Sequence, residues 1–250
     1  RHLDAECILR ADDLLDNRVR PGDVAAGGYP LDVQTLTPHD SGYVFGTPEL
    51  YGVPLCVSVP RGLDGLWVVG KAAGYDPIAA SSARVVPLGM AVAEAVGVAA
   101  AQAARLGVDP ADFAADADRL EALRGALRER GAYLPEPVAR PPVGPYAHPA
   151  YRDYRLMLSR GLAVGGYGND PRLDEPVSAL SYIYLLSNVG QRFLNDAELG
   201  AALVARFADA GSPLDAERAL AITHAAACLL GACPEASWNA LRAAGLAPEG

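Results

Sequence analysis

The chain has 250 residues, 51% of them hydrophobic and 20% charged, which is enough apolar material for a core spread over one or two domains. A formal net charge of −9 argues against sequence-independent nucleic-acid binding and against docking on an anionic membrane surface. The cysteines, Cys7, Cys56, Cys228 and Cys233, and the histidines, His2, His39, His148 and His224, show no metal-ligand spacing, so no metal site is expected, while a local disulfide between Cys228 and Cys233 stays open.

The sequence opens on Arg1 with neither an initiator methionine nor a signal-peptide pattern. "RHLDAECILRADDLL" reads like the middle of a chain, so a C-terminal piece of a longer protein is expected. "DAECILRADDLLDN" predicts a strand running into a short helix with Asp12 as N-cap, and Asp12, Asp13 and Asp16 read as exposed acids at that helix start. "GGYPLDVQTL" alternates like a strand after a glycine turn. "YGVPLCVSVP" predicts a second strand, with Leu55, Val57 and Val59 on one face, Cys56 and Ser58 on the other, and Pro54 and Pro60 at its ends.

The apolar run 66–69 predicts a strand buried on both faces. A loop over 71–83 then leads into a long helix over about 85–106, with Gly107 as its C-cap and Asp109-Pro110 opening the next helix. Residues 85–104 are long enough to cross a membrane, but alanine, glycine and valine dominate the window, Pro87 lies near its start and Glu94 in its middle, so no membrane span is expected. Residues 116–131 predict an amphipathic helix with Leu120, Leu123 and Leu127 on one face.

"PEPVARPPVGPYAHP", residues 135–149, carries six prolines, a density no packed element survives. It predicts a semi-extended linker between a domain at 1–134 and a helical module at 150–250. Within that module "NDPRLDEPVSALSYIYLLSNVG" (169–190) and "AGSPLDAERALAITHAAACLLG" (210–231) align without gaps as a two-fold internal repeat joined by a helix over 195–208. Asp174 and Asp215 are the candidate N-caps, Gly190 and Gly231 the candidate C-caps. Tyr182 and Tyr184 read as anchors beside Ile183, His224 reads as a packing residue, and "GNDPRLDE" lacks the register of a calcium loop and reads as a turn and cap.

A chemical site is most legible between residues 65 and 107. A helix N-terminus presents unpaired N–H groups and a partial positive charge, a seat for an anionic or electron-rich ligand edge. Ser81 and Ser82 would add hydroxyls there, Arg84 a fixed charge, and Gly70 a place where a ligand can approach the backbone. The plain alternative is a tight core helix preceded by a serine cap.

Three ordered stretches carry a family resemblance: "ADDLLDNRVRPGDVAAGGYPLDV", "YGVPLCVSVPRGLDGLWVVGKAAG" and "SSARVVPLGMAVAEAVGVAAAQAARLGVDP". Residues 1–135 resemble the C-terminal part of the FAD-dependent oxidoreductase family, whose full members begin with a Rossmann dinucleotide-binding unit. The resemblance implies an α+β fold, the incomplete C-terminal part of a Rossmann-type flavoprotein with strands and a long buried helix, followed by a small all-α module. It places Gly70 and Lys71 near the ribityl chain of FAD, and Ser81, Ser82, Arg84 and Val85 near the isoalloxazine. Lys71 stands where the family often has Arg, which keeps the charge and loses bidentate pairing. No GxGxxG occurs, and neither Gly27-Gly28 nor Gly165-Gly166 has a strand-turn-helix context, so this chain is expected to hold FAD weakly or not at all and to be inactive alone.

The intact enzyme that the resemblance implies would pass a hydride or electrons between a small organic substrate and FAD; its catalytic base is not readable here. An apolar face left bare in this chain calls for a homodimer partner or a missing N-terminal half. The alternative comes from "YRLMLSRGLAVGGYGNDPRLDEPVSALSYIYLL", which is similar to an S-layer homology repeat and implies an interaction module over 150–250 that binds a cell-wall polymer or another protein. Cytoplasm and bacterial cell envelope both remain open as locations.

Overall fold

A computed structural model describes residues 3–34, 42–137, 147–165, 167–207 and 211–245. His2, His39, Gly166, residues 35 and 36 of the expected "GGYPLDVQTL" strand, residues 138–146 of the proline-rich stretch, residue 208 and the first residue of the second repeat lie outside the described residues. The chain forms two compact units, with the division at 171/172. Helix α6 (Tyr151–Ser159), expected at the head of the C-terminal module, groups with the first unit. Arg155 explains this: it pairs with Asp12 at 3.0 Å and with Asp16 at 2.5 Å.

The first unit is α+β with short strands. Strand β1 (Asp23–Gly27) pairs antiparallel with β4 (Tyr51–Pro54), and β2 (Asp32–Val33) with β3 (Tyr43–Val44). Only the first four residues of "YGVPLCVSVP" are strand; Pro54 ends the ladder and Leu55–Ser58 wind into a 3-10 turn. Leu55, Val57 and Val59 are buried all the same, and Cys56 turns to a disulfide with Cys7.

The expected strand at 66–69 is not formed. Leu66 and Val69 are 45% and 42% exposed, and the run is tethered by Val68 N–H to the Ser58 carbonyl at 2.8 Å and by Trp67 edge-on to Phe113. A strand buried on both faces needs neighbours at its edges, and among the described residues the four strands pair only with one another.

Helix α1 (Ala11–Leu15) takes Arg10, not Asp12, as N-cap. Asp13, read from the sequence as exposed, is buried and accepts from Arg10 N–H at 3.0 Å, Arg18 at 2.8 Å and Arg20 at 2.5 Å. Charge pairing makes that burial tolerable. Asp23 at the start of β1 is buried too, accepting from Arg20 N–H at 2.6 Å, and burial raises its pKa to about 6. The buried Arg124 of α5 (Ala117–Glu129) donates to the Asp23 carbonyl.

Helix α2 (Pro77–Ala83) precedes α3 (Val86–Leu106), and α4 (Pro110–Ala115) precedes α5. Gly107 caps α3 with φ +66°, and Asp109 and Asp116 cap α4 and α5 by accepting backbone N–H groups. Leu123 and Leu127 of α5 are buried, Leu120 partly.

The long helix, expected to be buried, is buried on one face. Leu88, Val92, Ala95, Val96, Ala99 and Ala103 recur at helical spacing and face the core, where small residues let α3 lie close to β1. Val86 and Met90 on the other side are 71% and 68% exposed. Its packing neighbours, β1, the 3-10 turns Leu55–Ser58 and Gly70–Ala72, α4 and α5, supply one buried face. By length and composition alone α3 would suffice to cross a membrane, with 33% of that apolar window buried in the protein.

The described elements of the second unit are helical: α7 (Ala179–Val189), a π turn Gly190–Leu194, α8 (Leu199–Arg206), α9 (Ala216–Leu229) and α10 (Trp238–Ala243). Ala179, Ile183, Leu199, Leu203, Ile222, Ala225 and Ala226 form its core. Tyr182 packs against that core and hydrogen-bonds Thr223 at 2.8 Å, whereas Tyr184, read as a second anchor, is exposed.

The repeat is offset at its caps. Asp215 caps α9 as expected, but α7 starts at Ser178, not Asp174. Pro176 accounts for the delay, because the residue before a proline is driven out of the α region. Gly231 lies just past α9 with φ +84°, while Gly190 keeps helical dihedrals and passes into the π turn.

Candidate functional site

Gly70 opens the 3-10 turn Gly70–Ala72 with φ +75°, a left-handed conformation that glycine adopts without strain. A Cβ placed on it would meet nothing within 4 Å, so the space beside this backbone is open. Lys71 is exposed. The turn packs against α3 and is held from the other side by the N-terminal segment, where Leu3 N–H donates to the Ala72 carbonyl and Leu9 N–H to the Gly74 carbonyl, both at 2.9 Å.

Asp76 then serves two helices. Its Oδ1 accepts from Ala79 N–H at 2.7 Å at the start of α2, and its Oδ2 from Ala11 N–H at 2.7 Å at the start of α1. The sequence reading missed this residue, although Asp76-Pro77 is the same cap signal as Asp109-Pro110.

Ser81 and Ser82 do not stand at the start of the long helix. They belong to the last turn of α2, buried, and Arg84 is its C-cap. Ser81 donates to the Ile78 carbonyl at 2.6 Å. Ser82 donates to the Tyr29 carbonyl at 2.5 Å, so its contact with the Tyr51 hydroxyl at 2.8 Å has Tyr51 as donor. Residues 77–83, expected as a loop, thus curl into a separate helix, because Asp76-Pro77 nucleates it before Pro87 opens the next.

Burial pushes the Tyr75 phenol up to about 12, and burial also raises Tyr51, so both stay protonated donors. The Tyr51–Ser82–Tyr29 chain pins the "GGYP" segment against α2 and was not legible in the sequence.

Arg84 is exposed and donates to the Ser81 and Asp32 carbonyls, each at 3.3 Å. Val85 is the N-cap of α3 and offers no side-chain acceptor to the first-turn N–H groups. A fixed cation therefore adjoins the uncapped positive end of a 21-residue helix. Gly70, Lys71, Arg84 and Val85 present open backbone or positive charge, while the hydroxyls of Ser81 and Ser82 turn inward to Ile78, Tyr29 and Tyr51.

The second unit holds a cluster that the spacing analysis overlooked. A nitrogen of His224 and the sulfurs of Cys228 and Cys233 lie within 4.8 Å of one another. His224 and Cys228 are one helical turn apart on α9, and the turn at Gly231 brings Cys233 back to Cys228. The two sulfurs are joined as a disulfide, so neither is a thiolate ligand in this state.

A family model described as FAD dependent oxidoreductase matches residues 1–127, and no curated protein and no solved structure matches the chain. The matched segment contains β1 to β4, the Gly70 turn and the start of α3. The chain belongs to the FAD dependent oxidoreductase family.

Proposed function

We propose that residues 1–134 form the C-terminal part of a Rossmann-type cofactor domain in a flavin-dependent oxidoreductase. FAD would sit against Gly70 and Lys71 on one side and the Arg84–Val85 helix start on the other. The observation that carries this reading is that the matched segment, residues 1–127, includes this whole edge while its backbone at Gly70 is open. The residues fit one end of the cofactor: open backbone for close approach, an uncapped helix start and two cationic side chains.

Bound FAD supplies the electron-transfer chemistry between a small organic substrate and an acceptor. The chain's own residues bind and orient. Gly70 admits the ligand, Lys71 and Arg84 offset its negative charge, and the N–H groups at the start of α3 favour the electron-rich edge. Ser82 and Tyr51 hold the Tyr29 segment in place behind them. With no GxGxxG in its sequence, this chain is proposed to hold FAD weakly and to be inactive alone. The second unit is proposed as a helical module with an internal repeat; its cell-envelope alternative rests on the loose likeness alone.

The test is a flavin-fluorescence titration of the purified chain with FAD, run on the wild type and on Arg84→Gln. Saturable quenching that weakens about tenfold in the variant is expected, the range of one lost charge-assisted contact. No quenching up to the solubility of FAD would overturn the reading of this edge.

A further inference from the structure

The pair Cys228–Cys233 differs in kind from Cys7–Cys56. Cys233 is exposed and Cys228 is partly buried, so an incoming reagent meets one sulfur more readily than the other. The less accessible sulfur, Cys228 Sγ, lies 3.6 Å from His224 Nε2. The same nitrogen lies 2.8 Å from the Pro234 carbonyl. A carbonyl oxygen only accepts, so Nε2 carries its proton and points a donor at the junction of Pro234 and Cys228. A thiolate at Cys228 is a stronger acceptor than a neutral sulfur and would draw that N–H. It needs such a partner, because Cys228 lies in the last turn of α9, where the helix dipole disfavours negative charge.

We propose that Cys228–Cys233 is a reactive disulfide whose substrate is a thiol, with Cys233 as the sulfur attacked and His224 as the donor that stabilises Cys228 as it leaves. With a dithiol as reductant, one reagent thiol loses its proton and its thiolate attacks Cys233 Sγ. A bond forms between reagent sulfur and Cys233, the Cys228–Cys233 bond breaks, and the electron pair leaves on Cys228 Sγ beside the His224 N–H. The second reagent thiolate then attacks the reagent sulfur of the mixed disulfide and releases Cys233. The reagent ends as a disulfide, the protein ends with two thiols, and the two protons given up by the reagent are taken up at Cys228 and Cys233. His224 is catalytic in this exchange, since it touches a reacting atom. This site is independent of the flavin edge and stands or falls without it.

The test uses the full oxidised chain, with Cys7–Cys56 as internal reference. Dithiothreitol is added, samples are quenched in acid and alkylated, and each cysteine is followed by tandem mass spectrometry. Cys228 and Cys233 are expected to become alkylatable about tenfold faster than Cys7 and Cys56. Reduced glutathione, quenched before a second thiolate resolves the mixed disulfide, is expected to be found on Cys233 first. In His224→Phe the exchange should slow about tenfold, with His224→Asn, which keeps an N–H donor, recovering part of the rate while helix content by circular dichroism stays constant. Equal rates for the two disulfides, glutathione first on Cys228, or an unchanged rate in both His224 variants would each overturn the proposal. The rate and labelling arms use the unmodified protein, so a variant that fails to fold does not shield it.

Discussion

The two units hold themselves together by opposite means. In the first, distant segments meet: Cys7 is joined to Cys56, Asp76 caps helices at 11 and 77, and Arg124 reaches the backbone of Asp23. In the second, neighbours meet: helices separated by short connections pack alanine, leucine and isoleucine, and the disulfide closes only five residues. Buried charge marks the same divide. Asp13, Asp23 and Arg124 are buried in the first unit, while among the described residues of the second the buried polar one is Thr223. Non-local ties put a larger share of stability into loop closure and charge pairing, and local helices put it into apolar packing.

The largest expected effect breaks the first unit at its longest tie. Removing Cys7–Cys56 in a double serine variant should cost about 4 kcal/mol from the chain entropy of its loop, read as a fall in the midpoint of that unit's calorimetric transition. Next, the ionised Asp23 side chain works against its own unit. Its folded pKa of about 6 lies above the unfolded 3.8, so the contribution is fully present below pH 3.8 and is lost as pH rises through about 6. Asp23→Asn should therefore leave acid stability unchanged and recover up to roughly 3 kcal/mol at neutral pH, with urea titrations across that window showing a flatter slope than wild type.

The local disulfide should matter less. A double serine variant at Cys228 and Cys233 should cost only about 2 kcal/mol, and equal losses for the two disulfides would contradict the contrast between the units. The smallest expected effect is Tyr182→Phe, which removes the bond to Thr223 and should lower the second unit by about 1 kcal/mol, since Thr223 keeps its own bond to the Ala219 carbonyl at 2.7 Å.

Local signals read well. Gly107, Asp109-Pro110, Asp215 and the apolar face of α5 stand where their residue types predict, because a cap or a helical period is decided within one or two turns. The family was legible as well, since three ordered motifs lie within the matched residues 1–127. Signals that depend on partners read poorly. The run at 66–69 has the composition of a buried strand and no strand beside it. Asp13 has the look of a surface acid, and two arginines from beyond its own helix made its burial stable.

At the candidate site the same division holds. The sequence by itself determined that a cation and a glycine flank the start of a long, smooth helix, because those are facts of residue type and order. Only the tertiary structure decided that Ser81 and Ser82 face inward to Ile78, Tyr29 and Tyr51, that α3 buries one side, and that Cys233 folds back onto Cys228 beside His224. A hydroxyl, a helix face or a sulfur carries no record in the sequence of which neighbour will satisfy it; burial and hydrogen bonding choose among the neighbours that folding brings within reach.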